Sequence, residues 1–84
     1  MRFMVLGAWD PASPEIPRLI AEEQARTGEL MDEGIVQQLV LRADGAGGYM
    51  VVDAESPEAA QDHLNTLPFM KAGVMQIELV ELKA

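Results

Sequence analysis

The run "RFMVLGAW" near the start of the chain is apolar almost throughout and is closed by Asp10 and Pro11. That pattern fits a strand buried on both faces better than a half-exposed one. A helical spacing follows. When successive residues are turned by about 100°, Ile16, Leu19, Ile20, Thr27, Leu30 and Met31 share one arc. Pro14 and Pro17 both offer helix starts, but a residue before proline disfavours the α region, so Ile16 makes Pro17 the expected first helical position. The helix is expected to run to about Glu33, with Gly34 as its left-handed stop. "IVQQLVLR" then reads as a strand whose adjacent Gln37 and Gln38 mark it as an edge, and "ADGAGG" as a hairpin loop. "YMVVDA" is again continuously apolar and predicts a second central strand. Ser56 as cap and Pro57 at the first position open a second helix over "SPEAAQDHLNTL", ending near Leu67 where Pro68 stops it. "FMKAG" is expected to turn the chain, and "VMQIELVEL" alternates as another edge strand.

The resulting order is βαββαβ. Right-handed crossovers and two apolar central strands, the first and third, predict a four-stranded antiparallel sheet in the order 4-1-3-2 with both helices on one face. This is an α+β, ferredoxin-like arrangement occupying residues 1–84 as a single domain. Two helices cover only one face of a sheet, whereas both central strands are apolar on both faces. The uncovered set, either Phe3, Val5 and their neighbours or the residues alternating with them, therefore needs another cover. A second copy of the same sheet is the simplest one, which predicts a homodimer.

Composition narrows the picture. A domain of 84 residues buries only roughly 60 to 65% of its unfolded surface, and the absence of cysteine removes disulfides and thiolate metal sites as support. Self-association is again the expectation. Hydrophobic residues make up 49% of the chain but aromatic ones only 5%, so the core is aliphatic and disorder is excluded as the main state. A formal charge of −8 and a pI near 4.3 argue against nucleic acid and anionic membranes as partners, since both need a basic patch. No run approaches the roughly 20 apolar residues of a membrane span, and "MRFMVLGAWDP" lacks the form of a signal peptide. A cytoplasmic protein is expected.

One acidic residue breaks the helical pattern. Glu23 projects to within roughly 20° of the centre of the first helix's apolar arc. A carboxylate held among apolar neighbours has its charged form disfavoured and becomes a better proton acceptor, so Glu23 is a candidate general base. The plainer reading is a carboxylate that bends to solvent or pairs with Arg18 or Arg26. His63, the only histidine, sits between Ala59 and Leu67 in the arc of the second helix that Ala60 and Leu64 complete. It reads as a second candidate, or as a core histidine satisfied by one hydrogen bond. Both helices lie on the same side of the sheet, so Glu23 and His63 are expected to face one layer and to line one pocket there.

Other chemistry has little support. One histidine without a His-x-x-x-His spacing argues against a metal site, "ADGAGGYM" lies between two strands rather than before a helix and so is no phosphate loop, and no serine has a base placed to activate it. Met50, Met70 and Met75 are adaptable core filler or the lining of a cavity for a flat organic ligand. Trp9 and Tyr49 offer the same choice between packing and binding.

"AEEQARTGELMDEG", "VVDAESPEAAQDHLNTLPF" and the closing "MQIELVEL" together resemble the muconolactone δ-isomerase family of the dimeric α+β barrel superfamily, over about half the chain. The resemblance implies sheets packed back to back in a dimer, with larger rings possible. It also implies a pocket between helices and sheet in each subunit, and a cofactor-independent proton shift across an unsaturated lactone in aromatic-compound breakdown. Glu23 matches a helix-one glutamate of the family pattern, whereas His63 falls where that pattern is usually apolar. Under this reading Glu23 abstracts a proton and His63 or Tyr49 donates to the developing enolate oxygen, while Trp9, Met75 and Arg42 contact substrate. A carboxylate on that substrate would require a cation, for which Arg42, Arg26 and Lys71 are the plausible sources. Two other readings stand beside it: a cofactor-free monooxygenase or cyclase acting on an aromatic substrate, which needs mainly an apolar pocket with one base, and a non-enzymatic small-ligand-binding or assembly module.

Overall fold

The two continuously apolar runs do become the central strands. In the computed structural model, which describes residues 1–83, β1 (Arg2–Trp9) lies between β3 (Gly47–Asp53) and β4 (Met75–Leu82), and β2 (Val36–Leu41) pairs with the outer side of β3. All pairings are antiparallel, and the order β2-β3-β1-β4 is the expected 4-1-3-2 read from the opposite edge. A register irregularity between Val36 and Gln38 leaves Gln37 outside the ladder, and its side-chain amide donates to the Gly34 carbonyl. Both glutamines are exposed on the edge strand.

α1 (Glu15–Asp32) starts two residues before the position expected at Pro17. Pro14 is itself in the α region, with φ −65° and ψ −17°, and Ser13 begins the turn: its carbonyl accepts from Ile16 N–H at 3.2 Å and its hydroxyl from Glu15 N–H at 3.3 Å. Pro17 then falls in the first turn, where a missing N–H costs no intrahelical bond. At the other end Gly34 adopts φ +77°. Its N–H reaches the Met31 carbonyl at 3.0 Å, and Ile35 N–H reaches Leu30 at 2.9 Å, the paired bonds of a Schellman stop.

α2 (Pro57–Leu64) is capped as expected, the Ser56 hydroxyl accepting from Ala59 N–H at 3.0 Å. It ends three residues earlier than expected. Pro68, read as a stop, is instead the first residue of a one-turn helix, α3 (Pro68–Lys71). That turn closes as α1 does: Gly73 N–H meets Met70 O and Val74 N–H meets Phe69 O, both at 3.0 Å. The helices occupy one side of the sheet, and the core between the two layers is built on Phe3, Leu30, Val52, Leu64, Leu67 and Phe69. Phe3 and Val5 face this layer, so the uncovered set is the alternating one, which includes Met4 and Leu6.

A candidate active-site cavity under helix α1

A cavity of about 220 Å³ lies between the helices and the sheet. Its floor is the helix-facing side of the strands, where Val5, Met50 and Met75 are joined by Gly7 and Gly48. Gly48 admits no side chain, because a Cβ there would lie 2.9 Å from the Val40 carbonyl oxygen. α1 contributes Ile20, Glu23, Thr27, Gly28 and Met31 along one wall, and Leu64 and Phe69 close it from α2 and α3. Trp9, at the end of β1, packs edge-on against Phe69 with ring centroids 5.3 Å apart and planes at 66°, a favoured aromatic geometry.

Glu23 is the one ionisable side chain on this lining and is only 7% exposed. Its Oε1 accepts the backbone N–H of Phe69 at 2.9 Å. The local chain explains why that donor is available: Pro68 has no N–H, so Phe69 carries the first free donor of α3, and no side chain at the Leu67 cap takes it. The carboxylate of α1 therefore caps α3 from a distance of 46 residues along the chain. Burial holds the Glu23 carboxyl above the ordinary glutamate value, and the Phe69 N–H, which favours the charged form, offsets part of that rise. Neither arginine considered as a partner reaches it. Arg18 pairs with Glu15, while Arg26 donates to Thr66 Oγ1 at 2.9 Å and to Glu29 at 3.1 Å. Among the described residues no cation lies within ion-pairing distance of Glu23. The plainer reading, a salt-bridged or solvated glutamate, is thereby corrected.

The remaining candidates divide between the two faces of the sheet. Trp9 and Met75 line the cavity with Glu23, as do Met50 and Met31, but Met70 does not. His63 is half-buried on α2 and lies outside the lining, so the expected pairing of Glu23 and His63 in one pocket is not formed. α2 stops at Leu64, and its buried residues are Ala60 and Leu64. The arc extended to Leu67 thus placed His63 nearer the buried centre than the real helix does. Tyr49 stands between Gly48 and Met50, which face the cavity, and strand alternation sends its side chain to the opposite face. Arg42 is bound to Asp44 in the hairpin and lies over that same far side with Tyr49.

Phe69, Gln24 and Gly28 are cavity residues that sequence reasoning did not single out. A signal for Phe69 was present, since Pro68 followed by Gly73 is the proline-start, glycine-stop signature of a helix. Among the described residues no group of three or more histidines and carboxylates is arranged to hold a metal ion, and no helix is long and apolar enough to cross a membrane.

Sheet order and helix placement define a ferredoxin-like α+β domain, with an acid-bearing apolar cavity under its first helix. The chain belongs to the muconolactone delta-isomerase family, whose model matches residues 3–84. A crystal structure of muconolactone isomerase is similar over 98% of this chain and 88% of that one, with 30% identity and a TM-score of 0.79. The 5-chloro-2-hydroxyhydroquinone dehydrochlorinase TftG of Burkholderia phenoliruptrix AC1100, solved with 2,5-dihydroxybenzoquinone, shares the fold at 22% identity. That likeness covers 99% of this chain and 94% of the other, with a TM-score of 0.78. No curated protein matches the chain significantly.

Proposed function

We propose that this protein is a cofactor-independent isomerase that moves a proton along an unsaturated lactone, with Glu23 as the proton carrier. The observation that carries the reading is a buried carboxylate on the wall of an apolar cavity with no cation to hold it ionised. Glu23 removes a proton α or γ to the lactone carbonyl. The electron pair left behind spreads over the conjugated system onto the carbonyl oxygen as a dienolate, and the Glu23 acid returns the proton at the other end. The double bond has moved, and the carboxylate is regenerated without any redox change. A carboxyl whose proton affinity is raised by burial suits both halves of this exchange. Membership of the isomerase family supports the reading.

The enolate oxygen needs a donor at the cavity. His63 and Tyr49 lie elsewhere in the chain, and the lining residues with side-chain N–H groups are Trp9 and Gln24, which take over the candidacy. The protein is also proposed to act as a homodimer joined through the open sheet face. A row of exposed apolar residues there, Leu6 at 36%, Tyr49 at 42%, Val80 at 43% and Val40 at 49%, supports self-association over a free monomer.

The test is a spectroscopic isomerisation assay on a panel of unsaturated lactones that includes muconolactone, comparing wild type with Glu23→Gln. Glutamine keeps the shape and can still accept from Phe69 N–H but carries no proton. A loss of on the order of 10² or more in kcat is expected. A variant that keeps its rate would sink Glu23 as the base.

A further inference from the structure

We propose that Gly7 is a specificity-determining residue of the cavity: the place a side chain would fill there is a subsite for a substituent on the ligand's ring. The inference rests on the isomerase reading above and deepens it, naming unsaturated lactones with a substituted ring as the substrate class. Gly7 lies within a central strand, directly across from Gly48 in the register, and both line the cavity. Together they leave a patch of bare backbone on its floor. Side chains fence that patch: Leu41 and Ile77 in the same cross-strand row, Val5 before it and Trp9 after it on β1. The edge-on contact with Phe69 fixes the Trp9 end of the fence.

The two glycines have different causes. At Gly48 a Cβ would stand 2.9 Å from the Val40 carbonyl oxygen, so the backbone itself forbids a side chain. At Gly7 the nearest neighbours of a Cβ would be Met75 Sδ at 3.3 Å and the Gly48 carbonyl oxygen at 3.7 Å. The sulfur belongs to a flexible, unbranched side chain that can yield by the small shift required. Gly7 is not among the glycines with positive φ, and its pairing with β3 and β4 is continuous, without a bulge. A glycine inside a strand weakens it, and the usual reasons for one are a bulge, a sharp bend, or the close approach of a ligand or another backbone. Regular pairing removes the first two, and the open cavity above the residue removes another backbone. Close approach of a ligand is what remains. The size of the cavity agrees: an apolar cavity of about 150 Å³ holds benzene, so one of about 220 Å³ takes a single ring with room for a substituent. Over Gly7 that group packs on backbone among apolar side chains, in the same cavity that Glu23 lines.

The experiment compares kcat/KM for muconolactone and for muconolactones methylated at one ring carbon, on wild type and on Gly7→Ala. Each comparison is a ratio within one protein, so the fraction folded cancels. In wild type at least one methylated lactone is expected to be used within about fivefold of the parent, and rejection of every one beyond that overturns the inference. One methyl group of misfit in an apolar pocket is worth about 10–200-fold, so Gly7→Ala is expected to lower that ratio by at least about tenfold. A smaller change refutes Gly7 as the determinant, and a Gly7→Ala chain that does not fold shows the glycine to be structural and overturns the inference too. If wild type turns over none of these lactones, the isomerase reading fails by itself. The same ratios are then read as dissociation constants from the fluorescence of Trp9, the sole tryptophan and a cavity residue. A fall of about tenfold or more in the binding ratio upholds the subsite. A smaller change, or no binding of any of them up to millimolar concentration, defeats it.

Discussion

The two faces of one sheet are made from alternate residues of the same strands, yet they do different work. Phe3, Val5 and Val52 point under the helices and are buried, as is the one ionic group of the cavity, Glu23. Leu6, Tyr49 and Val80 point the other way and remain open, among Gln38, Gln76 and Glu78. Apolar residues occur on both faces, so what buries Phe3 and Val5 but not Leu6 and Val80 is the presence of a covering layer. On the covered face, burial without a cationic partner raises the proton affinity of a carboxylate. The open face instead presents a row of exposed apolar side chains.

The largest effects should separate the faces directly. Leu64→Ala, which removes a side chain packed in the core and on the cavity wall, is expected to cost about 2–5 kcal/mol in urea unfolding, whereas Leu6→Ala should cost well under half as much in the isolated chain. Equal losses would mean that the open face is covered and that folding and association are one event. Leu6→Lys sharpens the point. Its ammonium lands opposite Glu78 in the register, so the fold survives, but light scattering should report a fall from an oligomer toward the 9.2 kDa chain. An unchanged mass would remove this face as the interface.

A smaller effect concerns Glu23 itself. Its folded-state proton affinity lies above that of the unfolded chain, so the native state binds more protons through the window beginning near pH 4.3 and extending upward. The contribution of Glu23 to stability is therefore greatest in acid and declines as pH rises through that window. Glu23→Gln should abolish this slope and unfold at higher urea than wild type at pH 7, with the gap closing toward pH 4. A gap of the opposite sign would mean that the charged form is the stabilised one. The smallest effect is expected from Gly28→Ala in the middle of α1, where an added Cβ meets nothing within 4 Å. It should stabilise by about 0.5–1 kcal/mol through helix propensity, and a loss would reveal a tighter cavity mouth than the geometry shows.

Long, periodic elements were legible in the sequence. The 18 residues of α1 carry enough turns for Glu23 to register as out of place, and Gly34 announced the stop. α3 has four residues, too few to carry any period, and its proline was read only as a terminator. Missing that turn hid Phe69, and with it the bond that explains what Glu23 holds. Tyr49 was misplaced for a different reason: its own strand, β3, is apolar on both sides beyond its glycines, so alternation within that strand does not tell which face the helices cover. His63 failed through over-extension, since three residues of assumed helix beyond Leu64 shifted the centre of the arc.

The hydrogen bond from Phe69 divides the labour of the Glu23 carboxyl between its oxygens. Oε1 is anchored to a backbone amide, and the carbonyl oxygen of the neutral acid still accepts from that amide, though less strongly than a carboxylate oxygen does. In the proposed reaction, gain or loss of a proton on Oε2 would leave the anchor in place, and the group would neither swing nor re-pack its wall between the two halves of a turnover. Its orientational entropy is surrendered once, when the chain folds, instead of at each catalytic event. Under the proposed reaction the buried acid would serve as a fixed relay with a single working atom, without the reorganisation that water imposes on a free carboxylate.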